Sequence, residues 1–287
     1  MNQYLKILLF GLLVFGGCED EPEDFEVSKV DFEVSKVPST FTKKVLIEEF
    51  TGTWCGYCPY GASALQSLID ENEGNIIGVG VHYQDPLAIN QGNFLDSLYI
   101  NHTFPSGMVD RVPDQDDVTI GSWIWNYIAQ SQLSASTFCG LALKSVVNGN
   151  SATTEVHVAF NDSLFDGSIS DYRLTVYLIE DGLLFDQRNY DNSVTDSPYF
   201  GLGDPIANYE HNYVLREALS DPLGDQLSTI VLTSENERIK SYELDISSYN
   251  KNKLSIVAFV NYVGLSSIEH EVMNVQKCGI DGFQDWD

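Results

Sequence analysis

The hydrophobic and polar positions in the first half of the chain predict an α/β layer. Apolar runs cover Val45–Phe50 and Ile76–His82, and apolar residues recur at helical spacing over Cys55–Glu71 between them. A strand, a helix and a strand within about 40 residues indicate a βαβ unit with parallel strands and a right-handed crossover. Two more helices and an intervening strand are predicted at Gln91–Asn101, Ser122–Ser136 and Met108–Val112.

Beyond Phe138 the helical period gives way to short segments between Gly, Asn, Asp and Ser clusters, a pattern typical of strands. Such segments predict an antiparallel β-sandwich. They are Leu141–Val147, Thr153–Phe160, Arg173–Glu180, Ser228–Thr233, Ile239–Ile246, Leu254–Tyr262 and Glu271–Cys278. Asn212–Leu219 is instead interpreted as a helical turn. It lies in a long excursion, Asp181–Gln226, which is expected to be functional or locally ordered. We therefore expect an α/β domain over residues 43–137 and an all-β domain over residues 138–287.

The N-terminus has the pattern of a secretory signal. Residues 1–17 carry one basic side chain, Lys6, followed by an apolar run that ends in two glycines. This run is too short to span a bilayer as a helix. Because Cys18 follows the glycines, the segment resembles a bacterial lipoprotein signal, in which that cysteine is lipidated and becomes the first residue. An ordinary signal peptide cut nearby is the alternative.

Residues 18–42 are predicted to be an acidic tether. They contain an exact tandem duplication of DFEVSKV, at Asp24–Val30 and Asp31–Val37, which is too short for a coiled coil. The whole chain has 42 acidic side chains against 15 basic ones, a net charge of -27. A charge of this sign repels phosphate backbones, so nucleic-acid binding is excluded.

The candidate chemistry lies in the sequence TWCGYCP, residues 53–59, between the first predicted strand and the first helix. A cysteine at a helix N-terminus has its thiolate stabilised by free backbone N–H groups and by the helix dipole. Cys55 is therefore the expected nucleophile and Cys58 the resolving thiol. Two alternatives remain. One is half of a zinc site, although no second cysteine or histidine pair lies near. The other is a purely structural disulfide.

This motif, with the βαβ pattern and Phe104-Pro105 before a strand, resembles the thioredoxin fold. The resemblance implies that Pro105 is a cis-proline that faces the cysteines and helps to dock a substrate peptide, and that Trp54 shapes the apolar surface beside the thiolate. Thioredoxins also carry a buried proton-transferring acid six residues before the first cysteine, a place that Glu49 occupies here. Strand parity does not decide between Glu49 and its neighbour Glu48.

Five segments read KKVLIEEFTGTWCGYCPYGA, FPSGMVDR, VYLIEDGLL, NYEHNYVLREAL and KLSIVAFV. Together they resemble the Omp28-related outer membrane proteins, Bacteroidetes lipoproteins with a thioredoxin-like domain followed by a β-domain. The resemblance implies a lipid-anchored cell-envelope protein at the outer membrane, an address that the acidic stretch after Cys18 also favours. Two functions are then open. One is a thiol-disulfide oxidoreductase that acts on protein thiols or disulfides. The other is a non-catalytic surface binding or adhesion lipoprotein, with an unknown partner, in which the cysteine pair is a staple.

The remaining cysteines and the histidines predict no cofactor or metal site. Cys139 and Cys278 are predicted to pair, since the envelope is oxidising, with two buried free thiols as the alternative. The five histidines lack metal-ligand spacing, and no dinucleotide or phosphate-binding fingerprint occurs. His82 and His102 are expected near the cysteine pair as structural residues, and His211 is expected in local hydrogen bonds.

Overall fold

The computed structural model describes residues 33–99, 103–161, 168–230, 233 and 237–287. The predicted signal, the lipidation site Cys18, most of the tether and His102 lie outside these residues and stay predictions. The described residues belong to one compact unit. None of the helices described is long and apolar enough to cross a membrane.

Residues 45–133 fold as the alternation of strands and helices that the apolar pattern predicts. The elements are β1 (Val45–Thr51), α1 (Cys58–Glu71), β2 (Ile76–His82), α2 (Asn90–Tyr99), β3 (Ser106–Val109) and α3 (Ser122–Leu133). Strand β1 pairs in parallel with β2 and antiparallel with β3. A proline in the first turn of α1 suits the helix start, because its missing N–H would have no helical partner there.

Strands dominate the remainder of the described chain. They are β4 (Cys139–Asn148), β5 (Ser151–Phe160), β6 (Tyr172–Glu180), β7 (Leu183–Gln187), β8 (Ile206–His211), β9 (Val214–Ala218), β10 (Asp225–Gln226), β11 (Glu237–Asp245), β12 (Leu254–Tyr262), β13 (Val272–Gly279) and β14 (Gly282–Gln284). The fold is therefore mixed α/β with mostly β content and several sheets.

The largest sheet runs through both halves of the chain. Its strand order is β13-β12-β6-β9-β2-β1-β3, with β10 beside β6, while a second sheet has the order β11-β5-β4-β14 and β7 pairs with β8. The two halves meet where β2 and β9 pair at Gly80 and Val214. Gly80 N–H donates to the carbonyl of Tyr213 over 2.7 Å. No break in the sheet accompanies the boundary expected at residue 138.

Three hydrophobic clusters explain how the sheets and helices stack. One face of the large sheet packs on α2 through Phe50, Leu95 and Phe259. The opposite face is covered in two places. Helices α1 and α3 cover β1 and β2, with the fully buried Trp125 in the cluster. The four-stranded sheet covers β6, β12 and β13, as two sheets do in a sandwich.

Two predicted elements are wrong. Asn212–Leu219 is not a helical turn, because Val214–Ala218 pairs with β6 as β9. A short apolar run does not distinguish the two periods, and the pairing partner decides. The described part of the predicted strand Ser228–Thr233 begins in a 3₁₀ turn, Leu227–Thr229, in which Leu227 is buried and which the buried Ile230 follows. The long excursion is locally ordered by the β7–β8 hairpin.

The predicted Cys139–Cys278 disulfide is absent, and both cysteines are buried free thiols. The Asn274 side chain donates to the carbonyl of Cys139 over 2.9 Å. Cys278 follows Asn274 by four residues on β13, which is about 13 Å along an extended strand. That offset exceeds the roughly 7 Å between Cα atoms that a disulfide tolerates. Burial raises the pKa of both thiols to about 12.

Candidate functional site at the cysteine pair

The cysteine pair lies at the connection between β1 and α1. Cys58 is the first residue of α1, and Cys55 precedes it in the connecting turn. The two form a disulfide with 5.3 Å between their Cα atoms. Both side chains are nearly inaccessible, with Cys55 5% and Cys58 1% exposed. The pair is therefore placed at the helix N-terminus as expected, but it is more deeply covered than a freely reacting thiol would be.

Trp54 and Pro105 lie on one side of the pair, joined by an aromatic cluster. The Phe104–Pro105 peptide bond is cis. The Phe104 ring meets Trp54 edge-on at 5.1 Å between centroids and stacks on Tyr83 at 5.8 Å. Trp54 Nε1 donates to the carbonyl of Tyr83. The Trp54 residue is 40% exposed. The structure thus brings the two predicted docking residues to the same surface.

The two acids of β1 face opposite layers, which settles the choice that strand parity leaves open. Glu48 accepts two hydrogen bonds from the buried Arg111, at 2.7 Å to Nε and 2.8 Å to Nη2. Glu49 points to the other face. A Cβ placed on Gly61 would lie 2.5 Å from Glu49 Oε1 and 2.9 Å from Pro105 Cβ. Glu49 therefore lies beside both the first turns of α1 and the cis-proline.

Glu49 is buried without compensation. Its side chain is 3% exposed, and its Oε1 has no hydrogen-bond partner among the described residues. Burial raises the pKa of this carboxyl from 4.5 to about 8, because the charged form loses its hydration. The group is therefore mostly protonated at neutral pH.

Replacing Glu49 with glutamine is expected to remove a pH dependence of stability. Because the pKa is higher in the folded chain than in the unfolded one, the contribution of protonated Glu49 is fully present below about pH 4.5 and is lost as the pH rises to about 8. Across that window, the free energy of unfolding of the parent should fall by about 1.4 kcal/mol per pH unit relative to Glu49→Gln. Denaturant titrations at several pH values measure this difference. Equal slopes for the two proteins would contradict the assignment, and exposed Glu71→Gln is the matched control.

A segment that the sequence did not link to the cysteines covers them. We call Gln187–Tyr199 the covering segment. The side-chain amide of Gln187 donates to the carbonyl of Cys55 over 2.8 Å. The backbone N–H of Arg188 donates to the carbonyl of Thr53 over 2.8 Å. Gln187 is 2% exposed, so these bonds are shielded from water. The end of β7 is thereby fixed to the turn that carries the cysteines.

Aromatic side chains extend this cover onto Gly56 and the neighbouring turn. Tyr190 N–H donates to the carbonyl of Gly56 over 3.2 Å. Its ring meets Tyr57 edge-on at 5.2 Å. A Cβ on Gly56 would lie 2.3 Å from the Tyr190 ring, so only glycine leaves room for this contact. Cys55 therefore lies beneath a packed aromatic lid of the same chain.

Two further tyrosines fasten the covering segment to the first turn of α1. The Tyr60 hydroxyl donates to Asp191 Oδ2 over 2.5 Å, and the Tyr199 hydroxyl donates to the carbonyl of Pro59 over 2.6 Å. The two rings meet edge-on at 4.8 Å. The available sequence signal was the tyrosine-rich composition of an excursion too long for a plain loop. Periodicity alone could not give its docking place.

The histidines near the pair have structural roles. His82 Nδ1 lies 2.7 Å from Asp85 Oδ2, and the same carboxylate oxygen accepts from Thr53 N–H over 2.8 Å. This arrangement supports the turn before Cys55. His211, on β8, lies beside His82 with 5.2 Å between ring centroids. No group of three or more His, Cys, Asp or Glu side chains in the described ranges could hold a metal ion.

Comparison with known proteins decides the family. Residues 93–282, more than half of the chain, match the family model described as outer membrane protein Omp28. The chain belongs to the Omp28 family. The family resemblance seen in the sequence is thereby confirmed, and membership indicates an association with the outer membrane. The matched Omp28 region begins after the cysteine pair. It contains the covering segment but neither Cys55 nor Cys58.

One solved structure supports the fold of this Omp28 protein. HBP35 of Porphyromonas gingivalis is similar with a TM-score of 0.65 at 22% sequence identity, over 84% of this chain and 76% of that one. A protein of Agrobacterium tumefaciens is similar with a TM-score of 0.49 at 11% identity, over 82% of this chain and 94% of that one. No curated protein sequence matches the chain at a significant level.

Proposed function

We propose that this Omp28 protein is an outer-membrane lipoprotein, anchored through Cys18, whose thioredoxin-like domain exchanges disulfides with protein thiols through Cys55 and Cys58. The observation that carries the proposal is the buried Glu49 beside the first turns of α1, whose Oε1 has no hydrogen-bond partner in the described part of the chain. An unpaired buried carboxyl costs stability, so a disulfide that only stapled the fold would have no need of it. A proton carrier for Cys58 does need such a group.

The local topology supports the thioredoxin-like part of the proposal. The parallel pair β1 and β2, the helix between them and the antiparallel β3 after a cis-proline form the arrangement expected around a redox-active cysteine pair. Residues 43–137 would form this domain and residues 138–287 a β-sandwich domain that shares the large sheet with it. Trp54 and Pro105 would present the surface on which a substrate peptide docks.

The thiol-disulfide exchange balances in atoms and electrons without a cofactor. A thiolate of a reduced substrate attacks Cys55 Sγ, the Cys55–Cys58 bond breaks, and Cys58 leaves as a thiolate that takes its proton from Glu49. A second substrate thiolate then attacks the substrate sulfur of the mixed disulfide and releases Cys55. The substrate leaves with a new disulfide, and two electrons have passed to the protein. In reverse, Cys55 attacks a substrate disulfide and Cys58 resolves the intermediate.

The rate of Cys55 alkylation against pH tests this proposal. In a purified variant with Cys18→Ser and Cys58→Ser, we expect a single reactive thiol with a midpoint well below about 8.5, because the α1 N-terminus stabilises the thiolate. Mass spectrometry follows the reaction, and a variant that also lacks Cys55 measures the background from the buried Cys139 and Cys278. A midpoint at or above the free-cysteine value, or no reaction in the folded protein, would reject the oxidoreductase.

The burial of Cys55 favours a second candidate, a non-catalytic surface binding or adhesion lipoprotein. At 5% exposure beneath Gln187, the sulfur offers no direct path to a large protein thiol while the covering segment is docked. In that candidate the disulfide staples the turn, and an unknown partner binds elsewhere. The alkylation profile separates the two, because a staple needs no activated thiolate.

A further inference from the structure

A cavity of about 340 Å³ lies between α1 and the β8 strand of the hairpin. Its floor includes the buried Glu49 and His211. Its mouth is marked by Ser67 on α1 and Glu210 on β8, both exposed. The volume lies in the range of small-molecule sites. The redox chemistry proposed above uses Glu49 but gives no role to the cavity.

Two buried side chains on this floor each carry a hydrogen-bond acceptor that is free to bind a ligand. Glu49 Oε1 and His211 Nε2 both have no hydrogen-bond partner among the described residues. The His211 ring is hydrogen-bonded to the backbone of Phe185, and burial lowers its pKa to about 4, so the ring is neutral at pH 7. A neutral ring that donates through one nitrogen keeps a lone pair on the other. An ionised Glu49 would likewise present only acceptors.

The walls and the charge of the chain favour a cation. Tyr199, Tyr209 and Tyr213 line the cavity, and aromatic faces attract cations. The acidic chain, with a net charge of -27, raises the local concentration of cations and repels anions. An organic cation would also neutralise the carboxylate that burial otherwise forces to stay protonated. The other charged and titratable groups that line the cavity are His82, Glu210 and the three tyrosines, and Asp85 acts on His211 from beside His82.

We propose that this cavity binds a small organic cation of the primary ammonium class, whose N–H groups donate to Glu49 and His211 and whose carbon skeleton packs between the tyrosine rings. Binding releases one proton from the Glu49 carboxyl. Affinity should therefore rise by about tenfold per pH unit between about pH 6 and 7.5 and level off near pH 8. This site exists in the oxidised protein and does not depend on disulfide exchange.

Isothermal titration calorimetry of the oxidised full chain with benzylammonium chloride tests the site. We expect saturable one-to-one binding with a dissociation constant of about 1 mM or lower at pH 8. The neutral isostere benzyl alcohol should not bind measurably. Titrations in two buffers of different ionisation heat should report release of about one proton at pH 7.

Matched variants distinguish binding of the cation in the cavity from its general electrostatic attraction to the acidic surface. Glu49→Gln and His211→Phe should each weaken benzylammonium binding by about tenfold or more, because each removes one acceptor. Glu71→Gln makes the same change of charge on the exposed side of α1 and should leave the affinity unchanged. The proposal is overturned by absent saturation, by equal binding of benzyl alcohol, or by a Glu49→Gln variant that binds like the parent. An inactive cysteine pair with intact binding would reject only the oxidoreductase.

Discussion

A variant with Gln187→Ala and Tyr190→Ala is expected to lose its Cys55–Cys58 disulfide to a small dithiol about 100-fold faster than the parent. Gln187 holds the carbonyl of Cys55, and the Tyr190 ring stands over Gly56. Removal of a buried hydrogen bond or of an edge-on aromatic contact costs about 1 to 1.5 kcal/mol each, which is roughly tenfold in the fraction of molecules with a detached cover. Reduction proceeds through that open fraction.

Timed quenching with an alkylating reagent and intact-mass analysis measure the rate. Each single substitution should give about a tenfold increase. Tyr127→Ala removes a 79% exposed tyrosine from α3 and is the matched control, with no expected change. Equal rates for the double variant and the parent would mean that the covering segment does not limit access to the disulfide.

Arg111→Met is expected to lower the free energy of unfolding by about 3 to 5 kcal/mol, because it leaves Glu48 charged and unpaired in the interior. Arg111 and Glu48 are both fully buried and joined by two hydrogen bonds. The guanidinium also lies 5.3 Å from the Tyr99 ring centroid and 5.1 Å from that of Phe259. Burial disfavours the charged guanidinium, but the adjacent Glu48 carboxylate offsets this and raises the pKa of Arg111 well above its ordinary value, so Arg111 is charged.

Denaturant titration at constant pH measures this loss. Adding Glu48→Gln to Arg111→Met removes the orphaned charge and should recover part of the stability, which a simple loss of packing would not allow. Arg188→Met is the matched control, since its bridge to Asp204 is solvent-exposed and worth under about 1 kcal/mol. A loss below about 1 kcal/mol for Arg111→Met would show that the pair is not held as described.

The part of the fold built from local patterns was predictable. Strands β1 and β2 are buried along their whole length, and their mostly apolar residues identify them. That same burial hid which of Glu48 and Glu49 faces the cysteines. Every residue of β1 is buried, so neither acid has a solvent side to mark it. Only the identity of the covering layers, α1 on one face and α2 on the other, distinguishes the two carboxylates.

The cover over the cysteines could not be predicted because its contacts are not periodic. Gln187 and Cys55 are 132 residues apart and meet through a side-chain amide and one carbonyl. The absent Cys139–Cys278 bridge has a similar cause. The sequence places each cysteine at a strand end, but the offset between β4 and β13 depends on lateral packing across strands that are distant in sequence.

Because Cys55 precedes Gln187 in the sequence, the ribosome makes the cysteines before the segment that covers them. A ribosome adds about 5–20 residues per second, so the 132 residues between Cys55 and Gln187 take on the order of ten seconds to synthesise. During that interval the cysteines have been synthesised and their lid has not. An oxidant that meets the nascent protein can close the bond without displacing anything, whereas one that arrives after completion must first unseat Tyr190.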